Sequence, residues 1–409
     1  MLMVFGLQGA GAQTSDRLTL DECRRLAREN YPAVKQYALT EQSSEFTLSN
    51  IAKGWLPRIS VQATGAAFTD ILKDNPQMQA MGVSMDNYVA GASVTVRQNV
   101  YDGGQTAAEK RMAEAQTDVK SKQLDVAMYE VNGRVDQLFF SILLIDEQSQ
   151  MNRLLQTDLE TAEQTVRSMM KGGVANQGDL ETLEVERLKL QQQQDVLQTS
   201  RKACLDMLGL FIGKSLSAQT QLQKPSDGKT TQACLRPELS YYTAQEQLLA
   251  AQKKRLDAKL MPTLSFFGTG MVHSQVTPLL NRALLMGGLT LSWNIGALYT
   301  RKNDLRQLSL QRSEIDAQRE TFLFNNRLQQ SNTDGNIASL RKQAEKDGEI
   351  VSLRENILRR SRKKVAAGTE SVNEMVRNIN AVNQARQQKA LHEVQLLQEV
   401  YRLKNITNT

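Results

Sequence analysis

The chain has 409 residues, with 50 Lys+Arg against 44 Asp+Glu, 5% aromatic residues, seven prolines and a mean hydropathy of -0.43. That is thin material for several thick globular cores, and the abundance of Gln, Leu, Ala, Glu, Lys and Arg favours long helices in narrow packing. The formal net charge of +6 is spread along the chain without a basic block, which excludes a nucleic-acid footprint and leaves the charges as solvated helix faces.

Residues 1–12 are apolar and small, and Ala10-Gly11-Ala12 resembles a signal-peptidase site before Gln13, so this segment reads as the remnant of an export signal without its basic start. A helix is expected from Leu18 to Gly54, opened by the capping-box pattern Thr19-Leu-Asp-Glu22. Two strands follow, about 58–68 and 90–100, whose alternation is clearest in Ala92-Ser-Val-Thr-Val. Gly103-Gly104 then opens a helix. No P-loop lysine or dinucleotide pattern accompanies these glycines, so they read as a strand-to-helix turn.

The next segment, 105–172, contains no proline, and at 1.5 Å per residue it spans roughly 100 Å. Its apolar positions Leu124, Met128, Val131, Val135, Leu138, Ile142 and Ile145 alternate steps of four and three, the period of a supercoiled seam. A turn at Gly172-Gly173 leads to a returning helix, 177–212, in which Leu183, Leu190, Leu197 and Cys204 recur at sevens. A linker, 214–235, closes the first half.

The second half restates the first. A helix from Arg236 to Leu260 precedes strands at 263–273 and 283–295, a proline-free rod at 300–367, a turn at Ala367-Gly368 and a returning helix at 371–405. Its seam, Ile337, Leu340, Ala344, Val351, Leu358 and Val365, is interrupted by polar residues. Pro57 and Pro262, which open the first strand of each half, stand 205 apart; Asn99 and Asn294 stand 195 apart, and so do Gly173 and Gly368. Loops drift in length, whereas these rods are cut to one length, so two repeats are assigned at 13–213 and 236–409.

No run of 18 apolar residues follows the N-terminus, so a membrane reading has to rest on the strands, each long enough for a tilted crossing. Four strands cannot close a barrel, which calls for several chains. Periodicity alone leaves open two soluble hairpins capping a coiled coil. The cysteines, Cys23, Cys204 and Cys234, fit neither a metal spacing nor a disulfide framework, and His273 and His392 are too few and too far apart for a metal site or a triad. Neither catalysis, a cofactor nor a metal is expected.

Across essentially its whole length the chain resembles the TolC family of outer-membrane efflux and secretion channels. The resemblance rests on Leu18-Thr-Leu-Asp-Glu-Cys-Arg-Arg-Leu-Ala-Arg-Glu-Asn30-Tyr-Pro32, on Leu56-Pro57 and Met261-Pro262 at the strand starts, on Val100-Tyr-Asp-Gly-Gly-Gln105, and on the duplicated order of elements. It implies a mainly helical fold with membrane β structure: a homotrimer whose twelve strands form an outer-membrane barrel in lipid and whose twelve helices form a periplasmic tunnel. It further implies a passive conduit that serves an inner-membrane transporter through a periplasmic adaptor, in tripartite efflux or type I secretion.

The same resemblance makes the two turns the tunnel tip that an adaptor grips, Gly172, Gly173, Val174 and Ala175 in one and Ala367, Gly368 and Thr369 in the other. Glu374 matches an acidic ring at the entrance and Asp179 is its first-repeat equivalent. Arg377 stands where a second acid is expected and Glu370 where a basic link residue is expected, so a link between turns would run with reversed sign. The competing reading is a periplasmic coiled-coil structural or adaptor protein without a channel.

Overall fold

The computed structural model describes residues 17–67, 80, 88–226, 234–273 and 284–408. The expected signal remnant at 1–12 lies outside the described residues, as do residue 68 of the first expected strand, residue 283 of the fourth, and residues 227–233 of the linker. The elements are α1 (Leu20–Asn30), α2 (Lys35–Ala52), β1 (Arg58–Ala67), β2 (Tyr88–Tyr101), α3 (Gln105–Lys171), α4 (Gln177–Ile212), α5 (Pro237–Ala258), β3 (Thr263–His273), β4 (Leu284–Ser292), α6 (Ala297–Ala366) and α7 (Val372–Thr407). The chain is mainly helical, with one antiparallel sheet of four strands in the order β1-β2-β3-β4. No helix among the described residues is long and apolar enough to cross a membrane.

Three boundaries differ from the sequence expectation by three residues or more. The first helix is not continuous to Gly54: it ends at Asn30, Tyr31 is extended, and a short 3-10 turn at Pro32–Val34 intervenes before α2. Pro32 lacks an N–H and crowds the residue before it out of the helical region. The fourth strand stops at Ser292, because the Trp293 indole donates to the Leu260 carbonyl at 2.9 Å and the chain turns there. The second rod consequently starts at Ala297, ahead of the expected position 300.

The chain forms two compact units. One comprises Met1–Gln36, Leu124–Leu239 and Glu320–Thr409; the other comprises Tyr37–Gln123 and Ser240–Arg319. In the first, α1 presents Leu20, Cys23, Leu26 and Ala27 on one stripe, all buried against Val131, Val135, Phe139, Phe140, Leu205, Leu208 and Ile212. Met128, Val131, Val135 and Ile142 of the expected α3 seam are buried, and Leu138 is half-buried. In α4 the seam runs Leu183, Leu190, Leu197 and then Leu205, one residue past the expected Cys204. That step lets the helix turn Leu208 and Ile212 into the core.

The family-like segment after Leu18 owes its residue types to this packing. Arg24 forks onto the Asp136 carboxylate at 2.7 and 2.6 Å, and Arg28 donates to Asn132 at 3.0 Å. The Asn30 amide donates to the Leu26 and Ile212 carbonyls, so it caps α1 and the end of α4 together. Tyr31 stacks on Phe211 with ring centroids 6.2 Å apart. Thr19 accepts from the Glu22 N–H, and Leu18 pairs with the linker at Gln221 and Gln223. Burial pushes the Cys23 thiol up to about 12, with the neighbouring Glu22 charge adding to the effect, which makes this thiol inert.

A second apolar cluster of the same unit lies under the two turns, formed by Leu155, Leu159, Val166, Leu183, Val365, Val372, Met375, Val376 and Ile379.

Candidate functional site

Strand register sorts the sheet into two unlike faces. Directly opposed residues in an antiparallel ladder point to the same side. The pairs Ile59↔Val96, Val61↔Val94 and Ala63↔Ala92 continue through Val94↔Gly270, Val96↔Gly268 and Ala92↔Val272. They end on Gly268↔Gly287, Gly270↔Leu285, Phe266↔Leu289 and Leu264↔Leu291. This face is apolar except for Gln98 at its rim, whose amide reaches the Trp55 carbonyl at 3.5 Å. Ile59, Val61, Val94, Phe266, Val272, Leu285, Leu289 and Leu291 on it are exposed.

The opposite face carries Arg58↔Arg97, Ser60↔Thr95 and Gln62↔Ser93, then Thr95↔Thr269 and Thr263↔Ser292. Thr95 and Thr269 share a hydroxyl hydrogen bond of 3.1 Å, and Ser265 donates to Asn99 at 3.1 Å. Phe267, Met286 and the pair Met271↔Leu284 share this face on the β3–β4 side, so it is mixed; its polar rows suit water, whereas its reverse needs an apolar partner. Within the described sheet, β1 and β4 are edges without a neighbouring strand. Trp55, Tyr101, Trp293 and Tyr299 are exposed close to one end of it.

The corner from β2 into α3 is set by Asp102. Its carboxylate accepts from the Gly104 N–H at 2.9 Å and the Thr106 N–H at 2.7 Å, so it caps the rod. Burial opposes its ionisation, but the hydrogen bonds from Thr106 and Gly104 outweigh burial and hold the carboxyl below the usual range. Gly103 and Gly104 take positive φ of 68° and 81°, as the expected strand-to-helix turn requires.

Both helix turns end on a left-handed glycine, Gly173 at φ 72° and Gly368 at φ 70°. In the first, the Gly172, Gly173 and Val174 N–H groups return to the Met169 and Met170 carbonyls, and in the second those of Gly368 and Thr369 return to Val365 and Lys364. A Cβ on Gly368 would lie 3.4 Å from a Val174 methyl, so the turns are neighbours. Val174 and Gly368 are exposed and Ala175 is half-buried.

The sequence-derived acids all have local duties. Asp179 completes a capping box with Asn176, accepting its N–H at 3.0 Å while its own N–H reaches the Asn176 side chain at 3.1 Å. Glu374 occupies the same third position of α7, where Ser371 accepts its N–H at 3.2 Å, and its exposed carboxylate pairs with Arg377 at 3.2 Å. Glu370 does not reach the other turn: Ser361 donates to it and Lys364 stands 3.7 Å away, both on its own hairpin.

Two features escaped the sequence reading. Asp158 of α3 binds Arg362 of α6 at 2.7 Å and Arg386 of α7 at 3.1 Å, and Arg386 also holds Glu355 at 2.6 Å. Spacing within one helix carries no trace of such partners. The aromatic residues at the sheet end were legible in principle, because both tryptophans of the chain flank expected strands. No group of three or more metal-ligating side chains occurs among the described residues.

No family profile and no curated protein sequence matches the chain. Its fold does match solved structures of outer-membrane channels. The outer-membrane protein VceC of Vibrio cholerae superposes with a TM-score of 0.69 at 11% identity, covering 95% of each chain. The transmembrane channel protein CusC gives 0.72 at 13% identity over 95% of this chain and 91% of its own. The outer-membrane channel MtrE of Neisseria gonorrhoeae gives 0.68 at 13% identity over 95% and 88%.

Proposed function

We propose that the protein is the outer-membrane channel of an export system, a passive conduit across the periplasm for small molecules or proteins. The observation that carries this reading is a four-stranded sheet with one apolar face, one mixed face with polar rows and two open edges. Open edges are prohibitive in lipid, where unpaired backbone groups find no water. Three copies joined β4 to β1 make twelve strands, with the apolar faces toward lipid, the mixed faces lining a lumen, and no edge left over.

The helical part supports the same assembly. Phe324, Leu328, Ile350, Leu353 and Ile357 of α6, with Val185, Leu188, Val196 and Leu210 of α4, are exposed, while Ile337, Leu358 and Val365 of α6 and Leu183, Leu190 and Leu197 of α4 are buried. A second and a third copy of the chain would cover them. The tunnel so formed lies in the periplasm, with its repeats at 13–213 and 236–409. Its tip is built from 172–175 and 367–369, where the exposed Val174 and glycines form a small apolar knob for a periplasmic adaptor. The adaptor in turn links the channel to an inner-membrane transporter, which supplies the energy. Glu374 in three copies forms a carboxylate ring at the entrance, tempered by its Arg377 neighbours, while Asp179 serves its helix start.

Conductance across a planar lipid bilayer tests this, using detergent-purified protein beside Glu374→Ala. Stable unit steps, altered by the substitution, are the expected result. Steps indifferent to it would discard the entrance ring; purified protein that stays soluble without detergent and gives no steps would overturn the channel.

A further inference from the structure

The mixed face of the sheet carries charge of one sign only. The strands β1, β2, β3 and β4 contain two arginines, Arg58 and Arg97, and no lysine, aspartate or glutamate. These two residues are direct cross-strand partners, and both are exposed. Like charges facing each other across a ladder destabilise it, and neither guanidinium has a carboxylate or hydrogen-bond partner among the described residues.

The same cross-strand row continues through Arg97↔Phe267 and Phe267↔Gly288. The Phe267 ring lies over Gly288, where a Cβ would come within 3.2 Å of it. The row therefore carries two cations on one hairpin and, on the other, a ring with nothing acidic beside it. Arginine binds oxyanions in a bidentate fork and keeps its charge at every physiological pH.

From this juxtaposition we propose that Arg58 and Arg97 form an anion-selecting collar inside the barrel, and that the cargo passing it is anionic. The inference rests on the trimeric channel of the preceding section and deepens it. Three copies set six guanidiniums at one height of the lumen, with no carboxylate of the described strands to offset them. Such a ring raises the local concentration of anions and repels cations. It acts in series with the Glu374 entrance, whose carboxylates are each paired with Arg377.

The test is the reversal potential of single channels in a potassium chloride gradient near ~0.1 M, where the screening length is about 10 Å. The native protein is compared with R58Q/R97Q and with the charge-keeping R58K/R97K. Removing a like-charge pair relieves the sheet, so R58Q/R97Q is expected to assemble and to give native unit steps. Its chloride-to-potassium permeability ratio is expected to fall below the native value, R58K/R97K is expected to retain that value, and the difference is expected to vanish near ~1 M, where screening shortens to about 3 Å. Unit steps with an unchanged ratio in R58Q/R97Q at low salt would overturn the collar and leave the channel standing. Absence of steps from all three proteins would remove the channel and the collar with it.

Discussion

Replacing Gly103 by alanine tests the corner where β2 becomes α3, and Gly104→Ala serves as its internal control. Both glycines have positive φ, 68° and 81°, so each alanine incurs a left-handed backbone cost of about 1–2 kcal/mol. Their surroundings differ. A Cβ on Gly104 meets nothing within 4 Å, whereas one on Gly103 would lie 2.6 Å from the Met261 Cβ and 3.2 Å from the Pro262 carbonyl oxygen. Those are main-chain-anchored atoms at the start of β3 that cannot swing aside, and forced overpacking adds about 1–3 kcal/mol. Gly103→Ala is therefore expected to lose about 2–5 kcal/mol in all, against about 1–2 kcal/mol for Gly104→Ala. The assay is denaturant titration in detergent followed by tryptophan emission, since the chain's two tryptophans, Trp55 and Trp293, both flank the sheet. An equal loss in the two variants would refute the claim that the end of β2 and the start of β3 are locked against each other at this corner.

Asp102→Asn is expected to remove a pH dependence of stability at acid pH. Because the folded carboxyl is held low, its contribution is complete above the ordinary carboxylate range near ~4 and is lost as pH falls through the folded value. Native protein should thus weaken below about pH 4 more steeply than the variant in melts at stepped pH. Asp136→Ala strands Arg24, which is only 18% exposed, and is expected to cost on the order of 3 kcal/mol in the same titration, with Arg24→Leu/Asp136→Leu recovering part of it. Cys23 is fully buried and should resist a thiol reagent in native protein, reacting only on unfolding, while the half-buried Cys204 and Cys234 react earlier. Arg377→Gln leaves Glu374 without its partner, so channels of this variant should become more cation-preferring at low salt by reversal potential.

Periodicity made much of this molecule legible before any coordinates. Rods, turns and returning helices are local events: a seam at steps of three and four, a glycine that accepts positive φ, and a serine or asparagine that caps the next start act within a few residues of sequence. The break at Pro32 was equally local and was readable from the proline alone. The acids at Asp179 and Glu374 look alike because each occupies the third position of a returning helix, yet only the Asp179 carboxylate closes a capping box, while that of Glu374 pairs with Arg377.

Side-chain chemistry between distant segments was not legible. Asp158 with Arg362 and Arg386, Arg24 with Asp136, and Asn30 at the end of α4 join residues more than a hundred positions apart, and each helix on its own shows only charged or polar residues of no special spacing. Strand alternation announced two faces, yet a slip of one residue between strands would exchange them. Helix, turn and strand identity thus came from the chain's own pattern, because propensity and periodicity are properties of neighbours. Which residues share the apolar face, and that Arg58 stands opposite Arg97, came from tertiary pairing alone, because register is set only when two strands meet.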